Sequence, residues 1–370
     1  MKKLLLVFVL GMLGIIPISA QTDTVKVNSP KVELEKSTKN FFKKMDPSIK
    51  FGGYIVGKYS VNDRAGQASN GGFDLRFVRL YLNGYCFKDF YYRLQMEVNG
   101  APGPDKGPRV VDAFVEWQKF DFLRLKLGQF KRSFGFENPY SPLLVGLGSY
   151  SQATMKLASI NDRIGEHKSS GRDLGFQAQG DLFKAKDGHY WLHYQVGFFN
   201  GQGINHADKD NFKDLIGGLW ISPIKDLAIG GFGWNGKYTN EKYTGNGDLK
   251  SVARKRWGVG MKYESKWTLR GEYMSSVGGV ATNAAAPDRS DGWYATLGAP
   301  ITKDLKIYGR WDCYRDAKTW SSLKTNYGIS ANYTLGKNLI FQANYAFTDD
   351  RSVSVGKHYN TFDIQVYARF

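Results

Sequence analysis

The final eleven residues constrain the fold most strongly, because they alternate strictly between two kinds of side chain. Phe362, Ile364, Val366, Ala368 and Phe370 share one face of an extended chain, and mainly polar residues fill the positions between them. A period of two indicates a β-strand with one apolar face. Such a strand at the edge of an open sheet invites unwanted pairing, which a closed barrel avoids. The sequence therefore predicts a closed β-barrel.

The first twenty residues have the three parts of a secretory signal peptide. Lys2 and Lys3 precede the apolar run Leu4 to Ile16, and small residues before Gln21 provide a cleavage site. The predicted organisation is a signal peptide (1–20), an N-terminal periplasmic linker (21–49) and a transmembrane β-barrel (50–370). No Cys follows the cleavage site, so we expect no lipid anchor there.

The overall charge is strongly positive, with a formal value of +17 at pH 7. In a cytosolic protein this excess would suggest binding to nucleic acid. The predicted export makes nucleic acid an improbable partner. Inside a pore the same charge would attract anions, and on the loops it would contact an anionic lipid surface.

Amphipathic runs separated by turn residues continue from Lys50 to the last residue. Short and long connections alternate between them, as periplasmic turns and outer loops do in outer-membrane barrels. Sixteen strands are predicted, an even number that is wide enough for an aqueous channel. The predicted strands are 50–61, 72–84, 87–98, 109–118, 122–130, 172–183, 188–199, 213–222, 227–239, 252–264, 266–276, 292–299, 304–315, 323–335, 338–348 and 356–370.

The alternation also predicts which side chains face the lumen. Leu123, Leu125 and Leu127 would face lipid, which turns Arg124 and Lys126 inward. The same parity turns Arg93 and Arg310 inward, because a Lys or Arg facing mid-membrane lipid costs ~2–4 kcal/mol. These cations could attract anions or could pair with carboxylates of the wall, and the sequence leaves both roles open.

Two arginines of the second strand, Arg76 and Arg79, have opposite parity within one run. Both can avoid lipid only if the strand contains a bulge or if one arginine lies at the rim.

The segment 131–171 is far longer than an ordinary hairpin loop, which indicates a functional or a disordered segment. Its apolar stretches argue against disorder and could pack against the inner wall. A loop folded inward would narrow the pore and place charge at the constriction; the alternative is an outer lid. The predicted anion-path residues near its ends are Lys131, Arg132 and Arg172, and the predicted constriction residues within it are Glu137, Lys156, Arg163 and Lys168.

Metal and catalytic chemistry have little support in the sequence. His189 and His193 lie ~13 Å apart on a strand at ~3.3 Å per residue, too far to share one ion. The segment 206–210 lacks the Gly and Glu of a calcium loop. No nucleophile elbow, phosphate loop or dinucleotide fingerprint is present. We expect no metal, no cofactor and no enzyme activity, and we expect Cys86 and Cys313 to lie too far apart for a disulfide.

Several motifs resemble known families. A final aromatic strand is typical of bacterial outer-membrane barrels. Residues 126–131 (KLGQFK), 134–137 (FGFE) and 171–177 (GRDLGFQ) resemble the phosphate-selective porins O and P. The resemblance implies a sixteen-stranded trimeric channel whose arginines and lysines guide phosphate or related anions. The acidic-arginine-serine segment that the family has before Gly171 is not clearly present.

Together these observations predict an outer-membrane porin for passive diffusion of small anions, with phosphate and polyphosphate as candidate solutes. Its expected partners are small anionic solutes, outer-membrane lipid, lipopolysaccharide and two further copies of the chain. A general, weakly selective porin and a structural or surface-binding barrel with a plugged lumen are the alternatives.

Overall fold

The computed structural model describes residues 48–67, 71–100, 107–166, 168–240, 251–281, 283 and 285–370. The predicted signal peptide and residues 21–47 of the predicted linker lie outside the described residues. No helix in the described part of the chain is long and apolar enough to span a membrane.

Sixteen antiparallel strands form one closed barrel in which each strand pairs with its neighbours in sequence. They match the sixteen predicted runs one for one, and their ends differ from the predicted ends by only a few residues. The strands are β1 (Lys50–Asn62), β2 (Gly71–Cys86), β3 (Phe90–Glu97), β4 (Arg109–Phe120), β5 (Leu123–Lys131), β6 (Arg172–Lys184), β7 (Tyr190–Phe199), β8 (Asp214–Ile221), β9 (Leu227–Thr239), β10 (Ser251–Glu264), β11 (Thr268–Val277), β12 (Arg289–Pro300), β13 (Leu305–Arg315), β14 (Leu323–Leu335), β15 (Leu339–Asp350) and β16 (His358–Arg369).

The barrel closes where β1 pairs with β16, from Tyr54 opposite Arg369 to Asn62 opposite Thr361. The last residue extends this seam, because Gly53 N–H donates to Phe370 O at 3.0 Å and Phe370 N–H donates to Gly53 O at 3.1 Å. The amphipathic run at the end of the sequence thus loses its free edge by pairing with the first strand.

Side chains face the two sides of the wall as the alternation predicts. On β3, Leu94 and Met96 are exposed on the outer face, whereas Gln95 and Glu97 are buried inside. On β10, Trp257 is exposed and its neighbour Arg256 is buried. The apolar outer face suits lipid, and inward charged groups such as Glu97 and Arg256 find partners in the interior.

A β-bulge resolves the opposite parity of Arg76 and Arg79. Val56 pairs with Phe77 and Gly57 pairs with Leu75, so Arg76 is the extra residue of β2. Its guanidinium donates to Gln365 Oε1 at 2.7 Å and to the Tyr367 hydroxyl at 3.2 Å, both inside the barrel. The bulge predicted as one of two possibilities is therefore present, and it keeps both arginines away from lipid.

The connection between β5 and β6, residues 132–171, is here called the inner loop. It contains a 3₁₀ turn (Pro142–Leu144) and one short helix, α1 (Gln152–Leu157). Ser151 begins α1, because its side chain accepts a hydrogen bond from Thr154 N–H. Aromatic residues of the loop, Phe134 and Phe136, pack against Phe232 and Trp234 of β9 to form the largest apolar cluster of the interior.

The two cysteines are both free, with Cys313 buried and Cys86 half-buried. This agrees with the expectation that they do not form a disulfide.

Candidate functional site

The inner loop crosses the barrel interior from the strands on which it begins to the opposite wall. Asp312 of β13 accepts Gln152 N–H at 3.0 Å, and Asn332 of β14 donates to Gly146 O at 2.7 Å. Gln365 of β16 donates to Gly148 O at 3.3 Å. Because these partners face the lumen, the loop obstructs the interior; the predicted alternative of an outer lid does not fit these contacts.

A buried carboxylate holds the middle of the loop through its backbone. Glu272 of β11 accepts Phe136 N–H at 2.7 Å and Glu137 N–H at 2.8 Å, and it also accepts the Tyr294 hydroxyl at 2.6 Å. Glu137 in turn accepts Ser151 N–H at 2.9 Å and the Ser151 hydroxyl at 2.6 Å. A charged acceptor strengthens such hydrogen bonds, so these residues set the path of the loop.

The later part of the loop is held by Arg256 of β10. Its two terminal nitrogens donate to the two oxygens of Asp162, each at 2.6 Å. Burial by itself would raise the pKa of Asp162, but Arg256 outweighs burial and holds the pKa of this carboxyl below its ordinary value. The neighbouring Arg163 donates to Gly278 O at 2.5 Å and to Pro287 O at 2.9 Å, which ties the loop to the connection after β11.

The beginning of the loop lies in a fully buried charge network. Arg132 contacts Glu166 at 2.9 Å and Asp173 at 2.6 Å, and all three side chains are 0% exposed. Arg254 of β10 contacts the same Glu166 at 2.7 Å. The guanidinium groups of both arginines lie over the Trp234 ring. Arg132 is predicted for the anion path, but its burial and partners favour a role in anchoring the loop.

A basic cavity of about 320 Å³ lies between the inner loop and the wall formed by β1 to β7. Among the residues that the structure describes, six Arg and Lys side chains line it against a single carboxylate, that of Asp112. The cations are Arg79, Arg93, Lys126, Lys131, Arg132 and Arg172. Five of them are among the seven residues that the sequence predicts for the anion path, and Arg79 is the addition.

The arginines of this cavity share their acidic partners. Asp112 contacts Arg172 at 2.6 Å and Arg93 at 3.5 Å. Glu97 likewise contacts Arg79 at 2.8 Å and Arg109 at 3.3 Å. Because one carboxylate cannot neutralise two guanidinium groups, the sharing leaves an excess of positive charge at the wall.

Arg93 and Lys126 are the lining cations best placed to meet a solute. Arg93 is 26% exposed, and its only carboxylate contact in the described structure is the one with Asp112. Lys126 is 16% exposed, lies 3.5 Å from Glu116 and sits over the rings of Phe114 and Phe130. Both ion pairs are longer than a strong charge-assisted hydrogen bond, so the cations can also contact an anion.

Lys131 has neutral partners only among the described residues. Its ammonium group donates to Asn138 O and Tyr140 O, each at 2.6 Å, and to the Tyr150 hydroxyl at 3.1 Å. All three of its donors are used in holding the loop. Lys131 therefore offers no free hydrogen-bond donor to a solute.

The remaining predicted residues lie away from the basic cavity. Arg124 pairs with Asp181 at 2.5 Å, and Arg310 donates to Ser149 O at 2.8 Å on the inner loop. Lys156 is half-buried in the last turn of α1, and Lys168 is exposed. Arg124 belongs to the wall, whereas Arg310, Glu137 and Arg163 hold the loop. The cavity residue that sequence reasoning missed, Arg79, could be recognised only by placing the bulge.

A second cavity of about 790 Å³ lies beneath the inner loop, at the end of the barrel that has the short turns. Its cationic residues are Lys266, Arg270, Lys303 and Lys306, and its acidic residues are Glu264 and Asp304. Tyr140 of the inner loop lines both cavities. Tyr140 therefore lies at the boundary of two cavities, here called chambers, each lined by more cationic than acidic side chains.

No group of three or more potential metal ligands occurs among the described residues. His193 bonds to Asp181 at 2.6 Å and stacks on Trp220, whereas His189 contacts Asp187 at 2.5 Å. The two histidines thus have separate partners.

Comparison with known proteins agrees with this architecture. Residues 52–191 match the family model described as phosphate-selective porin O and P. An anion-selective porin from Comamonas acidovorans superposes with a TM-score of 0.66 at 14% identity, over 88% of this chain and 100% of that chain. OmpF of Salmonella typhi, in complex with daunomycin, superposes with a TM-score of 0.61 at 12% identity, over 87% of this chain and 97% of that chain. The trimer form of OmpT from Vibrio cholerae superposes with a TM-score of 0.58 at 12% identity, over 88% of this chain and 99% of that chain.

No curated protein sequence matches the chain significantly. At 14% identity or less, the structural likenesses establish the fold. The family match adds the class, which is that of non-enzymatic channels, in agreement with the expectation from the sequence. The chain is therefore an outer-membrane β-barrel porin, and over residues 52–191 it matches the phosphate-selective porins O and P.

Proposed function

We propose that this porin passes small anions, including phosphate, by passive diffusion through the basic cavity between the inner loop and the wall. The observation that carries the proposal is the set of six cations around a cavity of about 320 Å³ with one lining carboxylate. A positive field in a narrow, water-filled passage concentrates anions and repels cations. Arg93 and Lys126 contact the passing anion, and the surplus of arginines over carboxylates at the wall supplies the field.

Weak binding suits such a channel, because an anion has to leave as readily as it enters. The partial pairing of Arg93 with Asp112 and of Lys126 with Glu116 provides this balance. A strongly bound anion would block the passage. The wall carboxylates therefore compete with the solute and shorten its stay.

A general, weakly selective porin is the second candidate. The close pairing of Arg172 with Asp112 and of Arg79 with Glu97 favours it, because tightly paired charges attract solutes less than free charges do. The two candidates differ in ion preference, whereas a plugged structural barrel would pass no current.

Single-channel recording in a planar bilayer under a KCl gradient tests the proposal. We expect a reversal potential on the anion-selective side, and added phosphate should reduce the chloride current. The variants Arg93→Gln and Lys126→Gln should each shift the reversal potential towards zero. Lys119→Gln is the matched control, since Lys119 is exposed near the end of β4 and does not line the basic cavity.

An unselective current that phosphate does not reduce would replace the anion channel with the general porin. A folded protein without conductance would contradict both.

The assembly that best fits the comparisons is a homotrimer. One of the similar structures is described as a trimer form, although at 12% identity. Mass spectrometry of the detergent-extracted protein is expected to give three times the mass of one chain; a monomer mass would reject the trimer.

A further inference from the structure

We propose that Tyr140 is a rigid size filter between the two basic chambers, so that compact anions cross the porin and bulky organic anions are held back. This inference rests on the proposed passage along the inner loop. It concerns the size of the solute, whereas the proposed function concerns the sign of its charge. Tyr140 carries the inference because it contributes to the lining of both chambers.

The position of Tyr140 at the boundary follows from its neighbours in the sequence. Pro139, Ser141 and Pro142 line the smaller chamber together with Tyr140. Leu143, Leu144 and Gly146, which follow directly, line the larger one. The chain therefore passes from one chamber to the other within a few residues, and Tyr140 carries the large side chain that both share.

The backbone around Tyr140 is fixed. Its carbonyl oxygen accepts hydrogen bonds from Lys131 Nζ and from the Tyr150 hydroxyl, each at 2.6 Å. Proline at positions 139 and 142 restricts the backbone on either side. These restraints keep the tyrosine from swinging away from the passage.

The side chain is fixed as well. The Tyr140 hydroxyl donates to Glu264 Oε1 at 3.0 Å, and the guanidinium of Arg270 lies 4.4 Å above the ring centroid. Arg270 is itself held, because it donates to Leu144 O at 3.0 Å and to Val145 O at 2.8 Å. A ring with its hydroxyl bonded and one face covered acts as a wall of constant position rather than as a moving gate.

The chemistry of Tyr140 separates size from charge. A neutral phenol adds nothing to the field that selects anions over cations, which the arginines and lysines of the chambers supply. Changing the size of this side chain should therefore alter how large an anion can pass and leave the preference for anions unaltered. Substitutions that change the charge of a chamber residue should alter the preference for anions and leave the size of the largest permeant anion unaltered.

A graded series of variants in the full-length protein tests the filter. Single-channel currents are recorded for Tyr140→Ala, Tyr140→Phe and Tyr140→Trp in potassium chloride, acetate, benzoate and gluconate. We expect chloride conductance to rise on the order of twofold in Y140A, to stay near the parent value in Y140F and to fall in Y140W, because pore diameter limits permeation. The ratio of gluconate to chloride current should rise in Y140A.

Tyr333→Ala is the matched control, because Tyr333 is 45% exposed on the outer face of β14. It should leave every current unchanged, and the KCl reversal potential should be the same in all variants. Parent-like chloride conductance and current ratios in both Y140A and Y140W would overturn the filter. If Y140A did not fold into a heat-modifiable barrel, the opposite effect expected of Y140W would still decide the question.

The failure of the proposed function would look different. In that case the parent protein itself would show no anion preference in the KCl gradient, whatever residue occupies position 140.

Discussion

At the scale of single residues, this barrel stabilises buried charge by making each charge part of a network. Arg132, Glu166 and Arg254 are completely buried, yet the Glu166 carboxylate contacts both arginines within hydrogen-bond distance. An isolated buried charge would be costly, and removing one partner of a buried pair typically costs 3–5 kcal/mol. The interior charges therefore serve two roles, since those close to the loop hold it and those facing the basic cavity supply its field.

Asp162 makes the anchoring role testable through pH. Its pKa is lowered in the folded protein by Arg256, so its contribution to stability is present above the unfolded value of about 3.9 and is lost as the pH falls through the lower folded value. We expect the single-channel current to become noisier as the pH falls below about 4, because Asp162 then begins to lose this contribution and the loop loosens.

The variant Asp162→Asn should show that noise at neutral pH, because it lacks the charge that Arg256 binds. Asp89→Asn provides a control in the turn between β2 and β3, away from the inner loop. A quiet D162N channel would show that Arg256 does not hold the loop through this carboxylate.

At the scale of elements, the bulge of β2 sets which residues face the lumen. Arg76 is the one residue of β2 without a partner in the β1 ladder between Leu75 and Phe77. Deleting it restores regular pairing and leaves its neighbours on their present faces. Shifting a strand by one residue elsewhere moves the intervening side chains to the opposite face.

We therefore expect deletion of Arg76 to give a folded barrel that loses the hydrogen bonds to Gln365 and Tyr367 and the contact with the Phe77 ring. Deletion of Leu80 should instead move Arg79 towards lipid at a cost of ~2–4 kcal/mol and reduce the folded fraction. Heat-modifiable migration on gels after refolding in detergent measures that fraction. Equal folding of the two deletion variants would contradict the register argument.

At the scale of the whole molecule, closure depends on the seam between β1 and β16. Phe370 exchanges two backbone hydrogen bonds with Gly53, and its ring lies 6.4 Å from that of Phe51. Deleting Phe370 removes both hydrogen bonds, whereas Phe370→Ala removes only the ring contact. We expect the deletion to lower the urea concentration at half-unfolding in liposomes by more than the alanine variant does, since each net hydrogen bond contributes about 0.5–1.5 kcal/mol.

If the two variants unfolded at the same urea concentration, the contribution of Phe370 to the seam would come from its ring and not from its backbone hydrogen bonds. Phe183→Ala is a suitable control, because Phe183 is exposed at the end of β6 and takes no part in the closure.

Across these scales, the sequence by itself determined the strands and the faces they present. The period of two can be recognised within a single strand. The cost of placing Arg or Lys in lipid then decides which face of that strand turns towards the lumen, without knowledge of its neighbours. For this reason the inward positions of Arg93, Lys126 and Arg310 could be predicted from parity. The bulge at Arg76 could be narrowed to two possibilities by the same reasoning.

The tertiary structure decided which cations pair with carboxylates that anchor the inner loop and which remain available to a solute. Arg132 and Asp173 are separated by 41 residues, Arg256 and Asp162 by 94, and Gln152 and Asp312 by 160. A strand pattern tells which way a side chain points but not which distant side chain it meets. Barrel closure and the path of the inner loop bring these partners together, so only the folded molecule separates the anchoring arginines from those that line the passage and places Tyr140 between two chambers.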